Sequence, residues 1–368
     1  MDERLNKLAN TIVNHSLKLG KGSKVLIKAV RESKDLVCAI IEESNKVGAY
    51  VFVEYFLDEQ TARLLAMYNC EERMKFSNKW GKYEWEDLDA EVIIDGSENE
   101  YQFSEPIIIE KSKLNRKINK DLNDMITRER KWVLLEWPNA LAAHKAGKPT
   151  EVYRDFVFDV CNVDYKAMYE ACIPLKELME RTDKVHIIGK GTDLTFSIKD
   201  IPAVICAGEC NIPDGEVFTA PVKDSVNGVI QYNTDSPYDG KIYKNIRLEF
   251  ENGKIINATC ENGDNEGLNK IFDSDEGSRY VGEFALGLNP MINEPVGSIL
   301  FDEKIWGSFH FTPGQCYKGE AENGNDSIIH WDLVCIQVDE GEIYFDDVLV
   351  RKNGRFVLKE LEFLNYGK

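Results

Sequence analysis

The first 140 residues switch repeatedly between two hydrophobic periods, and that alternation leaves few folds open to the chain. Leu5, Leu8, Ile12 and Leu19, with Ala9 and Val13 beside them, form a helical apolar stripe that stops at Gly20. Residues 24–30 then read as a buried strand. Leu36, Ile40 and Val47 carry a second helix to Gly48, after which residues 49–57 are apolar and extended again. Two strands separated by a helix cannot close as a hairpin, so this segment predicts a βαβ unit with parallel pairing. The strand pattern recurs at residues 91–95 and 131–137, with a polar helical stretch over 117–130 between them.

The pattern changes in the second half. Strand signals fall at residues 185–188, 194–198, 228–232, 242–250 and 254–260, with one short helix at 265–272. Asn252-Gly253 and Asn353-Gly354 are hairpin dipeptides, because both residues tolerate the positive φ of a tight turn. At 368 residues the chain is long enough for two cores. The expected architecture is an α/β N-terminal domain with a largely parallel sheet, residues 1–182, plus a β-rich α+β C-terminal metal-binding domain, residues 183–368. A helix over 163–181 is expected to cross between them.

Charge and cysteine content narrow the partners. With 64 acidic and 45 basic residues the net charge is −19, which disfavours nucleic-acid phosphates and anionic membranes as partners. No run approaches the roughly 18 apolar residues of a membrane span, and the start Met-Asp-Glu-Arg lacks the apolar core of a signal peptide. Nine cysteines without a CxxC pair read as reduced core thiols, so a cytoplasmic protein is expected. Cys206 and Cys210 have the spacing of half a zinc site, but no second pair completes it.

Two of the five histidines lie close together near the C-terminal end. Ser-Ile-Ile-His330-Trp-Asp332-Leu-Val predicts a strand, whose period of two puts His330 and Asp332 on one face. An imidazole and a carboxylate so placed reach one divalent cation, and mixed nitrogen and oxygen donors suit zinc, cobalt or manganese. Glu216 and Glu283 each lie in glycine-punctuated, otherwise apolar sequence. Buried there, either carboxylate needs a compensating charge, which a metal supplies; the plain alternative is a turn glutamate in water. His15, His144 and His186 fall outside this constellation and carry no assigned role.

Taken together, several blocks resemble the thermophilic aminopeptidases, a family of two-metal metallopeptidases. They include the N-terminal Leu-Ala-Asn-Thr-Ile-Val-Asn-His-Ser-Leu-Lys-Leu, the Asp95-Gly-Ser-Glu-Asn99 turn, Trp137-Pro138-Asn139 and Gly191-Thr-Asp-Leu-Thr195. More specific are Pro213-Asp-Gly-Glu-Val-Phe-Thr-Ala-Pro221, Gly282-Glu283, the segment from His310 to Tyr317, and His330-Trp-Asp332. The resemblance implies two divalent ions, zinc, cobalt or manganese, held by Glu216, Glu283, His310, His330 and Asp332. It places Tyr317 at the edge of the site. All six positions are filled, whereas Asn139 stands where the family more often has threonine.

The implied activity is release of N-terminal amino acids from short peptides, by a homodimer. Physically, five ligands of which three are anionic hold two cations if a carboxylate bridges, and water between them then attacks a polarised peptide carbonyl. Glu283 is expected to bridge or to act as base. Tyr317 follows the Pro313-Gly314 turn and is expected to swing back towards His310, donating to the oxyanion. The rival reading is a peptide or small-ligand binding protein with a single structural metal, and metal stoichiometry separates the two. A third keeps both metals but hydrolyses a non-peptide amide.

Overall fold

The computed structural model describes residues 2–261 and 263–366, which divide into two compact units. The first comprises residues 1–162 with 208–213. Its sheet contains β1 (Lys24–Ala29), β2 (Tyr50–Tyr55), β3 (Ala90–Asp95) and β4 (Lys131–Glu136) in the order β2-β1-β3-β4, every pair parallel. The short β8 (Asn211–Ile212) adds to β4, also in parallel. Val25, Ile27, Val92, Ile94 and Val133, which the register and the period of two put on one face, are fully buried. At the edge, β2 leaves Tyr50 and Phe52 exposed. The first helix runs over Glu3–Asn10 and continues as a wider helical turn over Thr11–Ser16, stopping short of the expected Gly20.

The second unit, residues 163–207 with 214–368, is built on antiparallel pairing. Its larger sheet uses β5 (Lys184–Gly189), β6 (Thr192–Ser197), β10 (Asn227–Gln231), β13 (Arg247–Glu251), β14 (Lys254–Thr259), β18 (Glu342–Phe345), β19 (Val348–Lys352) and β20 (Arg355–Phe356). They lie in the order β14-β13-β10-β6-β5-β18-β19-β20. The smaller sheet joins β7 (Val204–Cys206), β9 (Glu216–Thr219), β15 (Val281–Gly287), β16 (Ser308–Pro313) and β17 (Val334–Ile336) in the order β17-β16-β15-β9-β7. Phe196 of the larger sheet meets Phe284 and Phe311 of the smaller at ring separations of 5.0 Å, and this aromatic layer is the centre of the core. Both Asn-Gly hairpins form, Asn252-Gly253 with φ of 49° and 83° and Asn353-Gly354 with 48° and 74°.

The division between units differs from the expected boundary at residue 182. The helix Tyr165–Glu180 buries Met168, Cys172, Leu175 and Met179 in the same core as the antiparallel sheets, so it belongs wholly to the second unit. The expected strand over 242–250 is also broken. Lys241–Tyr243 pairs with Ser236–Tyr238, and Asn245 at a φ of 47° turns the chain before β13 begins.

Candidate metal centre

Three adjacent strands of the smaller sheet set one face of the site. The period of two sends Phe284 and Leu286 of β15, Phe309 and Phe311 of β16, and Val217 of β9 into the core. Glu283, His310 and Glu216 then occupy the opposite face. The register brings them together, because Ala285 lies opposite both His310 and Phe218, and Gly287 lies opposite Glu216. All three are buried, with 2%, 1% and 5% of their surface exposed. Water therefore cannot solvate their charges, and only opposite charge or hydrogen bonds offset the cost.

His330 and Asp332 come to the same place by a different route from the one expected. The segment is extended, but His330 makes only a single bridge to Gly314, and β17 starts later, at Val334. Trp331 between them is buried against the rings of Tyr238, Tyr243 and Phe272, which fixes the segment and leaves its two neighbours facing the other way. Gly282 makes this possible: a Cβ there would lie 2.3 Å from the Gln315 carbonyl oxygen, so only glycine lets that backbone so close. The same carbonyl accepts a hydrogen bond from His330 Nδ1 at 2.8 Å. A carbonyl only accepts, so Nδ1 carries a proton and Nε2 is the ring nitrogen that faces the carboxylates.

Glu283 is the hinge of the cluster. Its Oε1 lies 3.3 Å from His310 Nε2 and its Oε2 3.2 Å from His330 Nε2. His330 Nε2 is also 3.3 Å from Asp332 Oδ1, and His310 Nε2 is 3.6 Å from Glu216 Oε2. The donors form two sets that share Glu283: Glu216, Glu283 and His310, and Glu283, His330 and Asp332, with ligand atoms in each set within 4.8 Å of one another. Among the described residues Glu216 Oε2 and His330 Nε2 have no hydrogen-bond partner. Each set thus holds a buried donor atom without a hydrogen-bond partner, which fits a divalent cation in each. Thr312 Oγ1 donates to Asp332 Oδ1 at 2.7 Å and holds that carboxylate in place.

Proton affinities reflect the crowding. Burial alone would lower the pKa of His310, but the Glu283 hydrogen bond and the carboxylates of Glu216 and Glu283 outweigh it and push the value up to about 9. His330 is raised in the same way, with Asp332 the largest opposing influence to its burial. Burial raises Glu216, whereas the two histidines overcome burial and lower Glu283. Tyr317 is 44% exposed and packs its ring 5.3 Å from that of His330 and 5.0 Å from that of Phe218. Desolvation of its phenol and the charges of Glu283 and Asp332 keep it protonated, as a hydrogen-bond donor must be.

Three charged residues beside these donors escaped the reading of the sequence. Lys304 is 1% exposed, and its Nζ lies 2.5 Å from Glu216 Oε1, 2.9 Å from Glu303 Oε1 and 3.5 Å from Asp214 Oδ1. Burial pushes the Glu303 carboxyl up to about 7 against the lowering influence of Lys304. The available signal was Asp302-Glu303-Lys304, a charged triplet between Phe301 and Ile305 with no polar residue on either flank. His144 lies on the helix Ala140–Lys145, and His186 pairs with Asp193 at 2.8 Å.

The chain as a whole is similar to known proteins. Aminopeptidase T of Thermus thermophilus is 27% identical over 407 aligned positions, covering 96% of this chain and 98% of that protein. Aminopeptidase AmpS of Bacillus subtilis is 26% identical over 383 positions, covering 90% and 92%. The solved structure of wild-type AmpT from Thermus thermophilus superposes with a TM-score of 0.81 at 25% identity, over 97% of this chain and 99% of that one. The thermophilic metalloprotease (M29) family matches over residues 1–356, so the chain belongs to that family and is a metallo-aminopeptidase, a hydrolase.

Proposed function

We propose that the enzyme removes N-terminal amino acids from short peptides with two divalent cations, one held by Glu216, Glu283 and His310 and the other by Glu283, His330 and Asp332. The observation that carries this reading is Glu283, whose two oxygens each face a different histidine inside a buried donor set. Zinc, cobalt and manganese all suit these nitrogen and oxygen donors. Bound there, the cations would supply Lewis acidity, polarising a carbonyl and lowering the pKa of water.

The chain's own groups do the rest. Gln315 holds the His330 ring and its tautomer through the Nδ1 hydrogen bond, and Thr312 holds Asp332. Glu283 sits between the two donor sets, where a carboxylate either bridges or accepts a proton from attacking water. Tyr317, protonated and beside His330, offers its hydroxyl to the oxyanion that forms at the scissile carbonyl. The reading includes a homodimer, which the family resemblance supports, and a cytoplasmic location, which the cysteine usage supports.

The experiment measures bound metal and amino-acid release on one preparation, with a panel of short peptides, their N-acetylated counterparts, and chelator. Two ions per chain, release of the first residue only, and loss of release on chelation are expected. Internal cleavage products, or cleavage of blocked peptides, would overturn the exopeptidase reading. A single tightly held ion with no turnover would favour a binding protein.

A further inference from the structure

We propose that Lys304 is a resident cation: its ammonium takes the place of a third metal ion beside the pair, and by holding Glu216 Oε1 it presents only Glu216 Oε2 to that pair. The inference rests on the two-metal reading above. A third donor set, Cys206, Asp214 and Glu216, has its ligand atoms within 4.8 Å of one another and shares Glu216 with the first. Cys206 of β7 is the register partner of Glu216 on β9, so the sheet itself builds this set. Into it reaches Lys304, buried to 1% exposure, with Nζ at 2.5 Å from Glu216 and 3.5 Å from Asp214. Glu303 closes the cage at 2.9 Å.

The charges explain why an ammonium, not a metal, belongs there. Five carboxylates crowd this volume: Asp214, Glu216, Glu283, Glu303 and Asp332. Two divalent cations and one ammonium match the formal charge of these five groups, and an uncompensated charge at this depth is strongly unfavourable. The ammonium also divides the labour of Glu216. Oε1 is committed to Lys304, and Oε2, without a hydrogen-bond partner among the described residues, faces His310. Lys304 is thus a positioning residue that acts through Glu216 and limits the site to two metals.

Removing the ammonium together with its volume opens the cage. In Lys304→Ala the carboxylates of Asp214 and Glu216 lose the ammonium's charge, and the cavity left by the butylammonium chain admits a divalent ion. The Cys206 thiol, a donor of this set, gives up its proton to such an ion and ligates it as the thiolate. Lys304→Met removes the charge but keeps the volume, so it admits no ion.

The test loads the full-length protein with Co2+, followed by metal analysis and near-ultraviolet absorption. Wild type is expected to hold two ions per chain without a thiolate-to-cobalt charge-transfer band. Lys304→Ala is expected to hold three and to show the band, which Cys206→Ser in the same background removes; Lys304→Met is expected to show neither. Should Lys304→Ala fold only when Co2+ is present, the ion has replaced the ammonium and the inference stands. A folded Lys304→Ala with two ions and no band overturns it, as does failure to fold even with Co2+ when Lys304→Met folds. A wild type that binds no cobalt would instead sink the two-metal reading beneath it.

Discussion

Glu283 carries more of this site than any other side chain, because its two oxygens lie 3.3 and 3.2 Å from two different imidazoles. Replacement by Gln keeps the volume and removes the charge, so the effect of Glu283→Gln isolates electrostatics from packing. Loss of a general base typically lowers turnover by about 10² to 10⁴. Loss of a bridging ligand would release metal as well. Measuring metal content and turnover on one preparation distinguishes these roles: metal kept with activity lost makes Glu283 the base, and both lost makes it the bridge. Metal and activity both retained would remove Glu283 from the site. At this scale the sequence singled out His330 and Asp332 by a period of two, and the family resemblance added Glu216, Glu283 and His310; the fold brings all five side chains together. Lys304 did not stand out, because a lysine in a charged triplet has the local signature of a solvated surface. Its burial comes from how residues 303–306 fold against the end of β15, where Asn289 pairs with Ile305.

At the scale of elements, local periodicity identified what each segment is but not always what it pairs with. The parallel strands β1 to β4, the Asn-Gly hairpins and the helix Asn265–Phe272 follow from hydrophobic spacing and turn residues alone. The segment around His330 is extended as its alternation requires, yet it lacks a ladder neighbour, because whether a second strand lies alongside is a long-range fact. The helix Tyr165–Glu180 is amphipathic in either unit, and only the packed core shows which one it serves. The junction of β15 with the Gln315 backbone yields a prediction at this scale. In Gly282→Ala the new Cβ would sit 2.3 Å from the Gln315 oxygen, so that backbone must move and the His330 hydrogen bond with it. Loss of such an orienting partner typically costs about 10- to 100-fold in metal affinity. The expected variant is folded, melts at a lower temperature and binds the metal of the His330 and Asp332 set that much more weakly. Gly20→Ala, with nothing within 4 Å of its Cβ position, should change neither quantity. Equal metal affinity in the two variants would detach His330 orientation from Gly282.

For the whole molecule, the cluster couples metal binding, pH and stability. His310 in the metal-free protein has a pKa of about 9 against 6.5 for an unperturbed histidine, raised by its neighbouring carboxylates against the effect of burial. The folded state therefore holds this proton more tightly than the unfolded chain. Its contribution to stability is complete below about pH 6.5, the ordinary histidine value, and is lost as pH rises through about 9. Glu216 and His330 are also raised and act in the same direction, while the lowered Asp332 withdraws its contribution only in acid. A bound cation replaces the imidazole proton, so loading must release protons at neutral pH and gain affinity as pH approaches 9. Two measurements check this. Calorimetric titration of the metal at pH 7.5 should give heats that depend on the buffer's ionisation enthalpy, with the sign of proton release. The difference in melting temperature between metal-loaded and chelator-treated protein should widen from pH 6.5 to 9, because only the metal-free form loses the proton that stabilises it. A constant difference, with buffer-independent heats, would mean that no histidine of this cluster is protonated when the metal arrives, and would separate His310 from the metal it is assigned to hold.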